Sequence, residues 1–215
     1  MSKLSQQVVE EAVRAVLNPE KKRNFLESID LQIVIKDYDL KRDKRFNGTI
    51  RLPHVISPNR KVCVLGTDVH CEEAKNCGLT CLNVAAMEAI NMNAKVVKKL
   101  AKKYHYFMCS SSLITMIPKY FGPTLNKLGK FPAIITPNDK LADKSTDLKA
   151  TVKFVFKKDT SLGVAIGNVN MTEQELTENL HTAINFLVSL TKKNWHNIKT
   201  MHIRSAMGKP RQIYP

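Results

Sequence analysis

Apolar residues recur at helical spacing near the start of the chain, at Val9, Ala12, Val13, Val16 and Leu17, and Asn18-Pro19 ends the pattern, so the first element reads as an amphipathic helix. Past a basic turn the period changes to two. Ile29, Leu31, Ile33 and Ile35 alternate with Asp30, Gln32 and Lys36, the signature of a half-buried strand, and a second strand is expected over Thr49 to Leu52. The middle of the chain reads differently: short apolar runs at Val62 to Leu65, Tyr106 to Cys109 and Ala133 to Thr136 alternate with helical stretches around Glu72 to Ala74 and from Val84 to Tyr104. Strands alternating with helices indicate a wound α/β unit. Strand periodicity then returns at Val152, Phe154 and Phe156, with Lys153 and Lys157 between them. A short strand at Gly163 to Gly167, a helix from about Thr172 to Leu190 and a last strand from Ile198 to Arg204 follow. Thr172-Glu173-Gln174-Glu175 is a capping box, and Lys192 and Lys193 lie where the helix dipole favours cations.

The strand-rich ends are each too short to bury a core, whereas the middle is a self-sufficient length. The economical arrangement is therefore a discontinuous α+β domain, residues 1–60 plus 148–215, with an α/β domain of residues 61–147 inserted. Ser57-Pro58-Asn59 and Thr136-Pro137-Asn138-Asp139 supply turn chemistry near the two crossings.

Charge adds the functional direction. The 215 residues carry a net charge of +15, with a pI near 9.7, a balance typical of proteins that bind nucleic acid. From Lys192 to Pro215 there are six Lys or Arg and no Asp or Glu. The final strand turns Thr200, His202 and Arg204 to one face and Met201 and Ile203 to the other, then leads into Ser205-Ala206-Met207-Gly208-Lys209-Pro210. A polar, cationic sheet face ending in a glycine turn suits a reader of the phosphate backbone. Lys41-Arg42-Asp43-Lys44-Arg45-Phe46-Asn47-Gly48 sets four cations beside an aromatic and a turn, a second place for RNA contact. Lys95, Lys98, Lys99, Lys102 and Lys103 form a stripe along one helix face, with Val96, Val97, Leu100 and Tyr104 turned inward. That stripe reads equally as a solvated face or as a phosphate-binding one.

Other chemistry finds little support. Five cysteines without a C-x-x-C pair read as reduced thiols, and His70, Cys71, Cys77 and Cys81 lack the spacing of a structural zinc site. Gly66-Thr67-Asp68 follows an apolar run, but neither a dinucleotide nor a P-loop glycine fingerprint is present, and no spacing marks a nucleophile with its base. An enzyme, a metal and a cofactor are not expected. With neither a membrane-spanning apolar run nor a charged-then-apolar leader, a cytosolic or nuclear location is expected.

Phe121-Gly122-Pro123-Thr124-Leu125-Asn126-Lys127-Leu128-Gly129-Lys130-Phe131-Pro132 resembles the glycine- and proline-punctuated loop of the ribosomal protein L-one family, called L-ten-a in eukaryotes. Three further segments agree in order: the basic Lys41 to Pro53; Val164-Ala165-Ile166-Gly167 with the later Glu178-Asn179-Leu180; and Ser205-Ala206-Met207-Gly208-Lys209-Pro210, similar to the family's S-T-M-G-K-P. The resemblance implies a discontinuous α+β domain, an inserted Rossmann-like domain, and a structural role on the large-subunit RNA of the lateral stalk, next to the exit-site tRNA that the stalk helps to release. Other ribosome components and the protein's own messenger complete the implied partners of a chain that is monomeric when free, cytoplasmic on ribosomes and in nucleolar transit during assembly. The RNA-binding residues it implies are Phe25, Glu27 and Ser28, the strand residues Gly163, Val164, Ile166 and Gly167, and Ser205, Met207 and Gly208. To these the charge pattern adds Lys41, Arg42, Lys44, Arg45, Arg204 and Lys209, and the Ser205-to-Pro210 turn adds Ala206. Gly122, Lys127, Gly129 and Lys130 are implied as secondary RNA or tRNA contacts. Ala206 replaces the family's usual Thr and so lacks a hydroxyl for a ribose 2′-OH. An assembly factor with the same domain is the nearest rival, and a nucleotide-dependent enzyme on the wound domain is the rival of another class.

Overall fold

The computed structural model describes residues 4–18, 23–39, 45–90, 92–136, 139–156 and 160–215. The fold is mixed α/β and α+β, and the chain divides into two compact units, Met1–Pro58 with Lys149–Pro215, and Asn59–Leu148.

In the first unit β1 (Ser28–Ile35) lies at the centre of an antiparallel sheet of order β10-β9-β1-β8, with β8 spanning Ser161–Asn168, β9 Ile198–Ser205 and β10 Arg211–Tyr214. Every second residue of β1 is buried, so the alternation seen in the sequence places Ile29, Leu31, Ile33 and Ile35 on one face. Against that face pack helices α1 (Gln6–Leu17), through Val9, Val13 and Val16, and α8 (Glu173–Leu190), through Leu176, Leu180, Ile184 and Leu187. The capping box forms: Thr172 Oγ1 accepts from Glu175 N, and Glu175 Oε2 accepts from Thr172 N. A two-stranded ribbon of β2 (Asn47–Arg51) and β7 (Thr151–Val155) completes the unit, and Tyr38, Phe46 and Phe156 cluster beside it. Strand β10 was not foreseen. Its four residues hold one buried apolar side chain, Ile213, too little for a periodic signal.

The second unit carries a parallel sheet of order β4-β3-β5-β6, formed by β3 (Val62–Leu65), β4 (Thr80–Leu82), β5 (Tyr106–Ser110) and β6 (Ala133–Ile135). All four residues of β3 are buried. Cys63 and Leu65 join a cluster with Met87, Val97, Phe107 and Phe121, while Val62 and Val64 join another with Ala74, Met108 and Leu141. Helices on both faces account for the unbroken apolar runs. The helix expected from Val84 to Tyr104 is two, α3 (Val84–Ile90) and α4 (Ala94–Lys103). Met92 takes a positive φ of 54°, and Asn93 Oδ1 caps α4 by accepting from Lys95 N; a residue with a positive φ beside a strong N-cap ends one helix and starts another. The break rotates Val96 outward, to 40% exposure, against the inward placement expected of it.

The cysteines also depart from expectation. Cys71, in α2 (Asp68–Asn76), and Cys81, in β4, are joined as a disulfide with a Cα–Cα distance of 5.2 Å, because the helix returns directly onto the strand that follows it. Burial pushes the thiols of Cys63 and Cys109 up to about 12, so both are inert apolar fillers.

Candidate nucleic-acid interface

The first unit brings the start of β1, the end of β8 and the turn after β9 to one corner of its sheet. Ile29 stands opposite both Ser205 and Gly167, and Ser28 opposite Asn168. Glu27 lies just before β1, only 4% exposed, although acidic side chains are rarely buried without a partner. Its partner is Arg23, whose Nη1 donates to Glu27 Oε1 at 2.6 Å. The same guanidinium donates through Nη2 to the carbonyl of Met207 at 3.1 Å, and Met207 N donates to Glu27 Oε2 at 3.4 Å. One ion pair therefore grips residue 207 by both its backbone groups. Two main-chain bonds finish the turn, Ala206 N to Ser28 O at 2.9 Å and Gly208 N to Ser205 O at 3.1 Å.

With its backbone fixed, Met207 holds its side chain out at 68% exposure, and Phe25 stands exposed at 55%. A hollow lined by Leu17, Arg23, Phe25, Leu26, Glu27, Val169 and Asn170 opens at the same corner. Arg204, on the half-exposed sheet face, has a buried Nε without a hydrogen-bond acceptor among the described residues. Gln32, His202 and Gly163 stand in one register row, and a side chain added at Gly163 would meet nothing within 4 Å. The corner thus combines an aromatic ring, a flexible thioether, cations and a flat polar strip, the ingredients of stacking, sugar contact and phosphate neutralisation.

Several residues expected to touch RNA are occupied otherwise. Val164 and Ile166 are buried in the core, so their side chains anchor β8 rather than face a ligand. Gly167 is buried, and a Cβ there would run into Leu176 Cδ1 and Met171 Sδ at 2.8 and 2.9 Å; its role is close packing under α8. Ser205 is 3% exposed and hydrogen-bonds Glu27, so its hydroxyl cannot stand in for the one that Ala206 lacks. A Cβ at Gly208 would collide with Ser205 Oγ, giving that glycine an internal reason of its own. Arg45 and Lys209 are exposed, whereas Lys41, Arg42 and Lys44 lie outside the described residues. In the second unit Gly122 and Gly129 take positive φ values of 61° and 70° at the ends of α5 (Ile117–Phe121) and α6 (Thr124–Lys127), and Lys127 is exposed. Lys130 instead turns its ammonium to Ala101 O and Tyr104 O, at 2.5 and 2.9 Å, closing the end of α4. Arg23 is the residue that sequence reading missed; its only signal was its position four residues before Glu27.

The hydrogen bond from Arg23 holds the Glu27 carboxyl below the usual carboxylate range, helped by Ser205 and Met207 N and opposed by burial. A depressed carboxylate stabilises the fold above its unfolded pKa, and that contribution disappears as the pH falls through the lower folded value. Stability is accordingly expected to decline below about pH 4 more steeply in the wild type than in Glu27→Gln. Urea titrations across acid pH would measure it, and parallel slopes would remove Glu27 from the account.

Known proteins of similar sequence align with nearly the whole chain. The profile described as "Ribosomal protein L1p/L10e family" matches residues 16–209. The protein named "Large ribosomal subunit protein uL1" from Spodoptera frugiperda is 48% identical over 215 residues, covering 99% of each chain. The proteins of that name from Oryza sativa subsp. japonica, 48% identical, and, as uL1y, from Arabidopsis thaliana, 47% identical, align over 100% of both chains.

Proposed function

The chain belongs to the ribosomal protein L1p/L10e family, and from that premise we propose that it is a structural constituent of the large ribosomal subunit that binds the ribosomal RNA of the lateral stalk near the tRNA exit site. In this reading the first unit is the RNA-binding domain and the stalk it organises assists the departure of deacylated tRNA. The observation that carries the proposal is the turn at Met207, whose backbone is clamped by Arg23 and Glu27 while its side chain and that of Phe25 stand exposed. Holding the contacting groups in place before RNA arrives reduces the ordering cost of binding. Phe25 offers a face for a base or sugar, Met207 packs beside a ribose, and Arg204 and Lys209 neutralise phosphates. The clamped turn sets position, and the surrounding cations supply affinity that weakens with salt. No reaction is assigned to the site, and the action on tRNA is mechanical. Ribosomes in the cytoplasm are its proposed location, with passage through the nucleolus during assembly.

Ultraviolet crosslinking in cells, with sequencing of the attached RNA and sedimentation of the complexes, tests this directly. Dominant crosslinks to one large-subunit RNA stalk in mature subunits and polysomes are expected. Crosslinks confined to precursor particles would make the protein an assembly factor, and the absence of enriched RNA would remove both readings.

A further inference from the structure

Between Glu88 and Asp139 the chain carries eight lysines and no acid. Five of the eight, Lys95, Lys98, Lys99, Lys102 and Lys103, lie on α4, and all five are exposed, while Val97 and Ala101 fill the opposite side of the helix. A helix face that merely meets water usually interleaves charges of both signs, because like charges three and four residues apart repel. The dipole rationalises Lys102 and Lys103 in the last turn; it disfavours Lys95 and Lys98 in the first two. More positive charge converges on the far end of α4. The Lys130 ammonium closes the helix there, Arg60 lies over the ring of Tyr106 with its carbon 5.6 Å from the centroid, and burial together with the charges of Lys130, Arg60 and Lys61 pushes the His105 imidazole below its ordinary pKa. Lys98, Lys102 and Lys130 also line one hollow together with Ala101 and Leu128, the latter 46% exposed. An apolar floor with a cationic rim fits a sugar carrying phosphates.

We propose that the exposed face of α4, from Lys95 to Lys102, together with the hollow over Leu128, is a second binding surface for the sugar-phosphate backbone of RNA. It is separate from the turn at Met207 and sits on the other unit. The lysines succeed one another about once per turn, at roughly 5.4 Å, comparable with the step between phosphates along a strand. Lysine is a flexible point charge without arginine's planar fork, so the surface attracts phosphate and does not read bases. An acidic polypeptide would be matched by the charge alone, but it gives no use to the apolar floor between the lysines.

The test is the salt dependence of binding to a mixed-sequence RNA duplex, measured by fluorescence anisotropy with the full-length protein. Lys98→Gln with Lys102→Gln should reduce the slope of log K against log salt by about 1.5 to 2. Lys75→Gln with Lys140→Gln, an equal charge change elsewhere in the same unit, should leave the slope unaltered, and Met207→Asp should leave this component in place. Thermal unfolding confirms that each variant is folded. An unchanged slope in the first variant, an equal fall in the control, or displacement of the duplex by polyglutamate as readily as by RNA overturns the proposal. Loss of stalk-specific binding on Met207→Asp is judged separately, so the turn and the helix face can fail independently.

Discussion

Met207→Asp is expected to weaken binding to a large-subunit stalk RNA by about 100-fold, equivalent to about 2.7 kcal/mol, without lowering the melting temperature. The asymmetry follows from the turn. The Met207 side chain is mostly in solvent, and substitutions at such positions usually change stability by no more than about 0.5 kcal/mol. Its backbone, by contrast, is fixed by the Arg23 and Glu27 side chains, so the new carboxylate cannot swing away from the surface that the turn presents. A like charge held against phosphate costs several kcal/mol in a bound complex. Met207→Leu retains the apolar contact and should stay within a few-fold of wild type. Filter binding at fixed salt, with thermal unfolding alongside, measures both quantities, and an aspartate variant with native affinity would remove Met207 from the interface.

The fold was legible wherever one face of an element was buried and the other was not. The alternation in β1 and β9 and the capping box of α8 each carry their own periodic or local chemical signal, and each element stands where that signal put it. The break between α3 and α4 was hidden because Met92 gives no warning of a positive φ, and the apolar Val96 continued a pattern that the backbone had already ended. The corner was legible in part. Resemblance picks out Glu27, Ser205 and Gly208 without distinguishing residues that meet a ligand from those that build the turn. Only the packing shows Glu27 and Ser205 buried in one another's company and Gly208 required by Ser205 Oγ. Arg23 escaped because a pair of opposite charges four residues apart is commonplace on any surface; burial of the acid makes this one matter. Gly163 and Gly167 illustrate the same limit. The two glycines of one strand look alike in sequence, but one faces open space and the other lies under Leu176 and Met171.

Asn179 separates the structural part of that resemblance from the binding part. Within α8 it is fully buried; its Oδ1 accepts from His54 N at 3.0 Å, while Nδ2 donates to His54 O at 3.2 Å and to Ile166 O at 3.0 Å. A single amide thereby satisfies both backbone groups of one residue before α8 and a carbonyl in the middle of β8, tying three segments of the first unit together. Asn179→Ala leaves those three groups without that partner; the buried Ile166 carbonyl costs about 1–3 kcal/mol and the half-buried backbone groups of His54 less. With partial relaxation and water entry the expected loss is about 3 kcal/mol, near the upper end for a point substitution. Asn179→Leu should be no better, since it refills volume and leaves the same groups unpaired. Urea unfolding followed by the fluorescence of Trp195, the chain's single tryptophan, reports on this unit, where that ring packs 5.5 Å from Tyr214. The midpoint should move and the slope should not. Under conditions where the variant is still folded its RNA affinity should stay within a few-fold of wild type, because the Arg23 and Glu27 clamp on the Met207 turn is a separate network. Native stability in Asn179→Ala would mean that water or neighbouring groups serve His54 and Ile166 equally well. A loss of RNA affinity without a loss of stability would instead place Asn179 in the interface itself.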